Sequence, residues 1–149
     1  MNTILVRSSL FSGFVISVLA CHTFFGSAKE NRVIGNIDVS GRSGEVIRAP
    51  STVPIDEPFD VIVTTRGSSC IRADGADVEV KGLIALITPL DILNYAHGCL
   101  EYDAPYPRSV KLRFNAVGAG VIRVRGRNYN DEAVMIERAI AVTPVRVQR

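Results

Sequence analysis

The chain has 149 residues, 47% of them hydrophobic and 21% charged, with 17 Lys+Arg against 15 Asp+Glu. That length holds one domain, and that balance of apolar to charged residues excludes an intrinsically disordered chain. A net charge of +2 without a concentrated basic stretch gives no basis for nucleic-acid binding.

Residues 1–28 carry a single charge, Arg7, followed by the apolar run "LFSGFVISVLAC" and the small-residue exit "HTFFGSA". A basic start, a short apolar middle and small residues at the end form a secretory signal. The run falls short of the roughly 20 residues that span a bilayer. Two cleavage sites compete. Gly26 and Ala28 suit a cut before Lys29, which makes residues 29–149 the mature domain. "VLAC", Val18 to Cys21, resembles a bacterial lipobox that would acylate Cys21, although Leu19 is bulky for that motif and Phe24 and Phe25 follow it. Ordinary cleavage near Ala28 is preferred, and a membrane becomes a partner only if Cys21 is lipidated. Loss of residues 1–28 leaves 16 Lys+Arg against 15 Asp+Glu. Either cut also leaves Cys70 and Cys99 as an even pair, which in an exported chain reads as a disulfide. Such a bridge closes a loop of about 30 residues and contributes roughly 3–4 kcal/mol in the chain-entropy model.

Strand signals dominate the rest. "RVIGNIDVS" and "EVIRAP" are the weaker ones. "EPFDVIVTTRG" alternates Phe59, Val61 and Val63 against Asp60, Ile62 and Thr64, and "ADVEVKG" alternates Val78 and Val80 against Asp77, Glu79 and Lys81. "GLIALITPLDILNYAHGCLEYDAPYP" begins as a continuous apolar run. Pro89 is expected to end that strand, "PLDILNYA" to form a helical turn, and the remainder to be a long irregular connection. "SVKLRF", "GVIRVRGRN" and "RAIAVTPVRV" restore the alternation, with "AVGAG" as a turn and the polar tip of "RNYNDEAVMIER" as a hairpin loop. Period-two patterning with β-branched residues and Gly, Pro, Asn and Asp punctuation predicts about seven antiparallel strands in a sandwich or barrel.

"APSTVPIDEPFDVIVTTRGSSC", "VKLRFNAVGAGVIRVRGRN" and "IERAIAVTP" together resemble bacterial secreted immunoglobulin-like β-sandwiches, over roughly residues 45–147. The chain is also similar to uncharacterised exported proteins with a cysteine after the second strand and another before the fifth. The resemblance implies architecture and export, not activity. It departs from antibody-type domains in having no Trp and in placing Cys99 in a connection. In an immunoglobulin-like order "SVKLRF" lies beside "EPFDVIVTT", with Lys111 and Arg113 near Asp60. "GVIRVRGR" lies beside "ADVEV" and the last strand, with Arg123, Arg125 and Arg127 near Asp77, Glu79 and Glu137. A simple hairpin of the two basic strands would oppose like charges; a crossing between sheets at "AVGAG" avoids that.

The chain shows no catalytic residue, metal-ligand set or cofactor motif that stands above its structural reading. A Cys99 nucleophile with His97 as base would need a free thiolate, and Cys70 is the obvious partner for that sulfur. The oxygen-rich loops "NYNDE" and "EYD" lack EF-hand spacing and read as solvated tips. The candidate binding surface combines Tyr95, Tyr102 and Tyr106 in and beside the cross-linked connection with the arginine row Arg123, Arg125 and Arg127. The expected function is a non-catalytic, exported binding or envelope-structural module. Its partner would be a protein or polysaccharide of the cell envelope, and it would be periplasmic, extracellular or lipid-anchored. The rivals are a small Cys/His-dependent hydrolase or redox enzyme and an inhibitor that inserts residues 89–107 into a partner's cleft.

Overall fold

The computed structural model describes residues 31–41, 45–94 and 98–145. Residues 1–28, for which a secretory signal is expected, Cys21 among them, and Tyr95 and His97 lie outside the described residues. Among the described residues the fold is all-β, with nine strands: β1 (Asn31–Ile34), β2 (Ile47–Arg48), β3 (Thr52–Pro54), β4 (Phe59–Gly67), β5 (Ile71–Lys81), β6 (Ile84–Leu93), β7 (Ala104–Leu112), β8 (Gly118–Arg127) and β9 (Ala133–Thr143). One sheet runs β1-β6-β8-β9-β3 with β5 on the other side of β6, and a narrower one runs β2-β4-β7.

The alternating strands behave as their patterns require. Phe59, Val61 and Val63 of β4 and Val110 and Leu112 of β7 turn inward, as do Ala85 and Ile87 of β6, Ile122 and Val124 of β8, and Ile140 and Val142 of β9. They form one hydrophobic cluster between the two sheets. Phe59 and Phe114 pack with ring centroids 5.8 Å apart. β7 and β8 belong to different sheets, so the chain crosses at 113–117. Lys111 sits opposite Asp60 in the β4–β7 ladder and pairs with it at 3.2 Å.

Three expectations are corrected. The pairing is not antiparallel throughout: β6 runs parallel to β8 and β3 parallel to β9. "ADVEV" does not lie beside "GVIRVRGR", because β6 separates β5 from β8. Pro89 does not end a strand and no helical turn follows it: β6 continues through Pro89 to Leu93. Its missing N–H is tolerated because of where it falls. Along one edge of β6 the partner changes there, from β8 at Ile84–Ile87 to β1 at Leu90–Leu93. Along the other, β5 shifts register between Ala73 and Ala76, with Gly75 at φ 78°, a conformation glycine adopts without strain. Residues 87 to 92 of β6 are all buried, and a strand covered on both faces reads as a continuous apolar run rather than as alternation.

At the disulfide end the inward-facing positions turn polar. Thr65 of β4, Asp91 of β6 and Arg108 of β7 are 0%, 1% and 7% exposed. Arg108 Nη2 donates to Asp91 Oδ1 at 2.6 Å and to Thr65 Oγ1, while Nη1 donates to the carbonyls of Leu90 and, at 3.0 Å, Gly75. One side chain thus joins β4, β5, β6 and β7 across both sheets. Asp91 Oδ2 and Arg108 Nε make no hydrogen bond, so the buried pair is incompletely compensated. Removing one partner of such a pair leaves a lone buried charge and costs about 3–5 kcal/mol. Arg108→Ala is therefore expected to destabilise the protein by about that amount in denaturant titration. Adding Asp91→Ala to it should cost less than the sum of the two single losses; strictly additive losses would show that the two groups are not coupled.

Candidate functional site

The three-residue turn 68–70 after β4 and the connection 98–103 before β7 meet at one end of the molecule. Cys70 and Cys99 are bonded, 29 positions apart in sequence. Hydrogen bonds continue the junction on both sides: Leu100 N donates to Ser69 Oγ at 2.8 Å, and Ser69 N to the Leu100 carbonyl at 3.3 Å. Tyr106, inside β7, donates its hydroxyl to the Ser68 carbonyl at 2.7 Å. Its pKa is raised, chiefly by burial. Tyr106 is thus part of the scaffold, whereas Tyr102 is 51% and Leu100 69% exposed.

The hairpin tip between β8 and β9 comes to the same place. Asn128 shapes it, its Oδ1 accepting from the amides of Asn130 and Glu132 at 2.9 and 3.0 Å, and Asp131 turns with φ 64°. These contacts project Tyr129, whose ring lies open to solvent at 58% exposure while its hydroxyl donates to Asp103 Oδ1 at 2.7 Å. Arg66, from the end of β4, grips Asp103 twice, Nε to Oδ2 and Nη2 to the carbonyl, each at 2.8 Å. Hydrogen bonds from Tyr129 and Arg66 hold the Asp103 carboxyl below its usual range, against the opposing effect of desolvation. The Arg66 guanidinium is raised, first by its bond to Asp103. The Tyr129 phenol is pushed up to about 12, first by partial desolvation and then by its bond to Asp103.

Of the residues singled out from sequence, Cys70, Cys99, Tyr102 and Tyr106 converge here. The arginine row does not act as one basic stripe. Arg123 pairs with Glu137 across β9 at 2.7 Å, Arg125 donates to Thr88 Oγ1 at 3.2 Å, and Arg127 pairs with Asp131 at 2.5 Å. Only Arg127 approaches this end. It borders a recess of about 220 Å³ lined also by Asn36, Ser68, Asp91 and Asp131. Of the carboxylates of "NYNDE" and "EYD", Glu132 is engaged with Asn128, Asp131 with Arg127 and Asp103 with Arg66. Among the described residues no three metal-ligating side chains come together. Sequence reasoning missed Arg66, Asp103 and Tyr129, because their contacts span up to 37 positions; the one local signal was a tyrosine at a hairpin tip.

The linkage has a definite sign. Asp103, its pKa lowered by folding, stabilises the network above the ordinary carboxylate range and loses that contribution as pH falls through its lowered value. Tyr129, raised, contributes fully below the ordinary tyrosine value and loses it as pH climbs through about 12. In a spectrophotometric titration of the four tyrosines, Tyr129→Phe should remove the step near pH 12; its persistence would overturn the Tyr129–Asp103 bond. Compared with family models, with curated proteins and with solved structures, the chain finds no match.

Proposed function

We propose that this chain is an exported, non-catalytic binding module of immunoglobulin-like type, which contacts a protein or polysaccharide of the cell envelope through its disulfide-bearing end. The observation that carries the reading is the exposure of Leu100, Tyr102 and Tyr129 on two loops fixed from beneath by the Cys70–Cys99 bridge and the Arg66–Asp103–Tyr129 network. Aromatic side chains held rigidly lose little entropy on binding and bury much area.

The immunoglobulin-like reading is supported by the three-stranded β2-β4-β7 sheet, the parallel β3 at the β9 edge and the crossing between β7 and β8. It departs from that order at β6, which lies parallel beside β8 where an antiparallel strand would stand. Export is favoured by the signal-like residues 1–28 and by a disulfide, which persists in oxidising compartments. Lipidation at Cys21 would place the same module on a membrane. The Cys/His-dependent alternative is disfavoured by the bond between Cys99 and Cys70, since the attacking species would be a thiolate.

Retention of the oxidised protein by immobilised envelope polysaccharide and by envelope protein fractions tests the reading. Leu100→Ala with Tyr102→Ala should lower retention more than about tenfold, the scale of an interface hot spot, at an unchanged melting temperature. Equal retention of the variant, or no retention of the wild type by either fraction, would overturn it.

A further inference from the structure

The recess of about 220 Å³ that Arg127 borders has a floor whose hydrogen bonding the fold leaves incomplete. Asp91 and Leu93 lie two apart on β6 and so share a face of the sheet. Val33 stands opposite Asp91 and Ile71 opposite Leu93, and directly opposed residues share that face too. Leu93, Val33 and Ile71 all line the recess, so the Asp91 side chain points to the side on which it lies. That side chain is 1% exposed. Its Oδ1 accepts from Arg108 and Thr65, whereas Oδ2 accepts nothing. A buried oxygen without a donor is costly, and a group that brings an N–H or O–H to it removes the cost.

The rest of the lining narrows what that group belongs to. Each acid of the recess is matched by an arginine, Asp91 by the buried Arg108 at 2.6 Å and Asp131 by Arg127 at 2.5 Å. With these charges balanced, a lone cation or anion would enter uncompensated. Acceptors and donors stand together: the two carboxylates accept, while the Arg127 guanidinium, the Asn36 amide and the Ser68 hydroxyl donate. Val33, Ile71 and Leu93 add an apolar wall. The volume equals that of about seven waters, which suits one small ring rather than a length of chain. A neutral pyranose meets all of these conditions. Its hydroxyls donate and accept at once, and its C–H faces are apolar.

We propose that the recess binds one neutral sugar residue at the end of a glycan, with a hydroxyl donating to Asp91 Oδ2 and others bonded to Arg127 and Asn36. Its rim is formed by the hairpin that projects Tyr129 and by Ser68 in the cross-linked turn, so the glycan leads from it onto the exposed surface of Leu100 and Tyr102. The inference rests on the binding role proposed for the disulfide-bearing end and narrows its ligand to a polysaccharide held end-on.

Amide correlation spectra of the oxidised, isotopically labelled protein, titrated with the methyl glycosides of glucose, galactose, mannose and N-acetylglucosamine, test the proposal. At least one glycoside is expected to shift the amides of Asn36, Ser68 and Asp131 with a Kd of about 1 mM. Ser68→Leu fills the recess and Arg127→Gln removes a donor at its rim; each should weaken that binding about tenfold. Leu100→Ala with Tyr102→Ala should leave it unchanged while lowering retention by immobilised polysaccharide. Absence of these shifts at about 100 mM of every glycoside would overturn the recess, even if polysaccharide retains the protein. Shifts without retention would uphold the recess and overturn the wider surface. Shifts from glycine or diglycine but from no glycoside would overturn the sugar in favour of a zwitterion. Binding indifferent to both Ser68→Leu and Arg127→Gln would place the sugar elsewhere and sink the proposal.

Discussion

The buried Arg108 guanidinium is the contact from which the rest of the architecture takes its alignment. Hydrophobic contacts between two sheets are non-directional, and valines and isoleucines would tolerate a sheet shifted by one strand position. A guanidinium that must satisfy Thr65, Asp91 and two carbonyls at once tolerates no such shift. It sets β7 level with the bulge of β5, and it requires Asp91 to stay inside the molecule. β6 therefore has to continue past Pro89, and the segment after β1 has to cover Asp91. That segment is Gly35, where a Cβ would lie 2.4 Å from Thr65 Cγ2 and 2.7 Å from Asp91 Oδ2. On the opposite flank Arg138 of β9 binds Glu45 and the carbonyls of Ile47 and Ala49, and so fixes the passage from β2 to β3 between sheets. Each flank is thus pinned by one arginine that donates to backbone carbonyls of a neighbouring segment.

The disulfide end depends on that alignment and adds to it. β4 carries Arg66 just before its last residue, β7 begins after Asp103, and the two strands are held in register as far as Gly67 opposite Ala104. With the register set, Arg66 necessarily reaches Asp103, and the carboxylate is then in place for Tyr129 from the facing sheet. The bridge removes freedom from the unfolded chain, whereas the hydrogen bonds remove it from the folded loop. Together they leave Leu100 and Tyr102 exposed on backbone that has little left to lose. That is the condition under which exposed apolar side chains become useful for recognition.

The strands with one wet face were legible in the sequence. β4, β7, β8 and β9 announce themselves by alternation, and the Asp60–Lys111 pairing and the crossing after β7 follow from charge placed on that alternation. β6 was not legible beyond its first residues, because a strand buried on both faces carries no period and a proline inside it mimics a terminus. Its parallel position beside β8 displaces the acidic strand β5 from the arginine row, so of the two neighbours expected for that row only the last strand, with Glu137 opposite Arg123, stands beside it. Arg108 had a signal that is easy to pass over. It shares the parity of Val110, Leu112 and Phe114, which makes it an inward-facing residue, whereas Arg113, just past the end of the strand, is exposed. Parity predicts the direction, but only the three-dimensional position of Asp91, 17 residues earlier, explains why a charge can stay there.

The same arginine also explains why the flank between β5 and β7 is open where it is. Arg108 stitches the two edges together at Gly75, near the disulfide, and at that level the β5 bulge and Pro105 and Pro107 of β7 already discourage pairing. Toward the other end the chain itself crosses between the sheets after β7, and among the described residues the narrow sheet has no strand that would cover Val78 and Val80. Filling that gap from within would need another strand after β7, but the chain crosses there to β8 instead. The uncovered valines are a consequence of topology rather than a local irregularity, and no side-chain rotation can bury them.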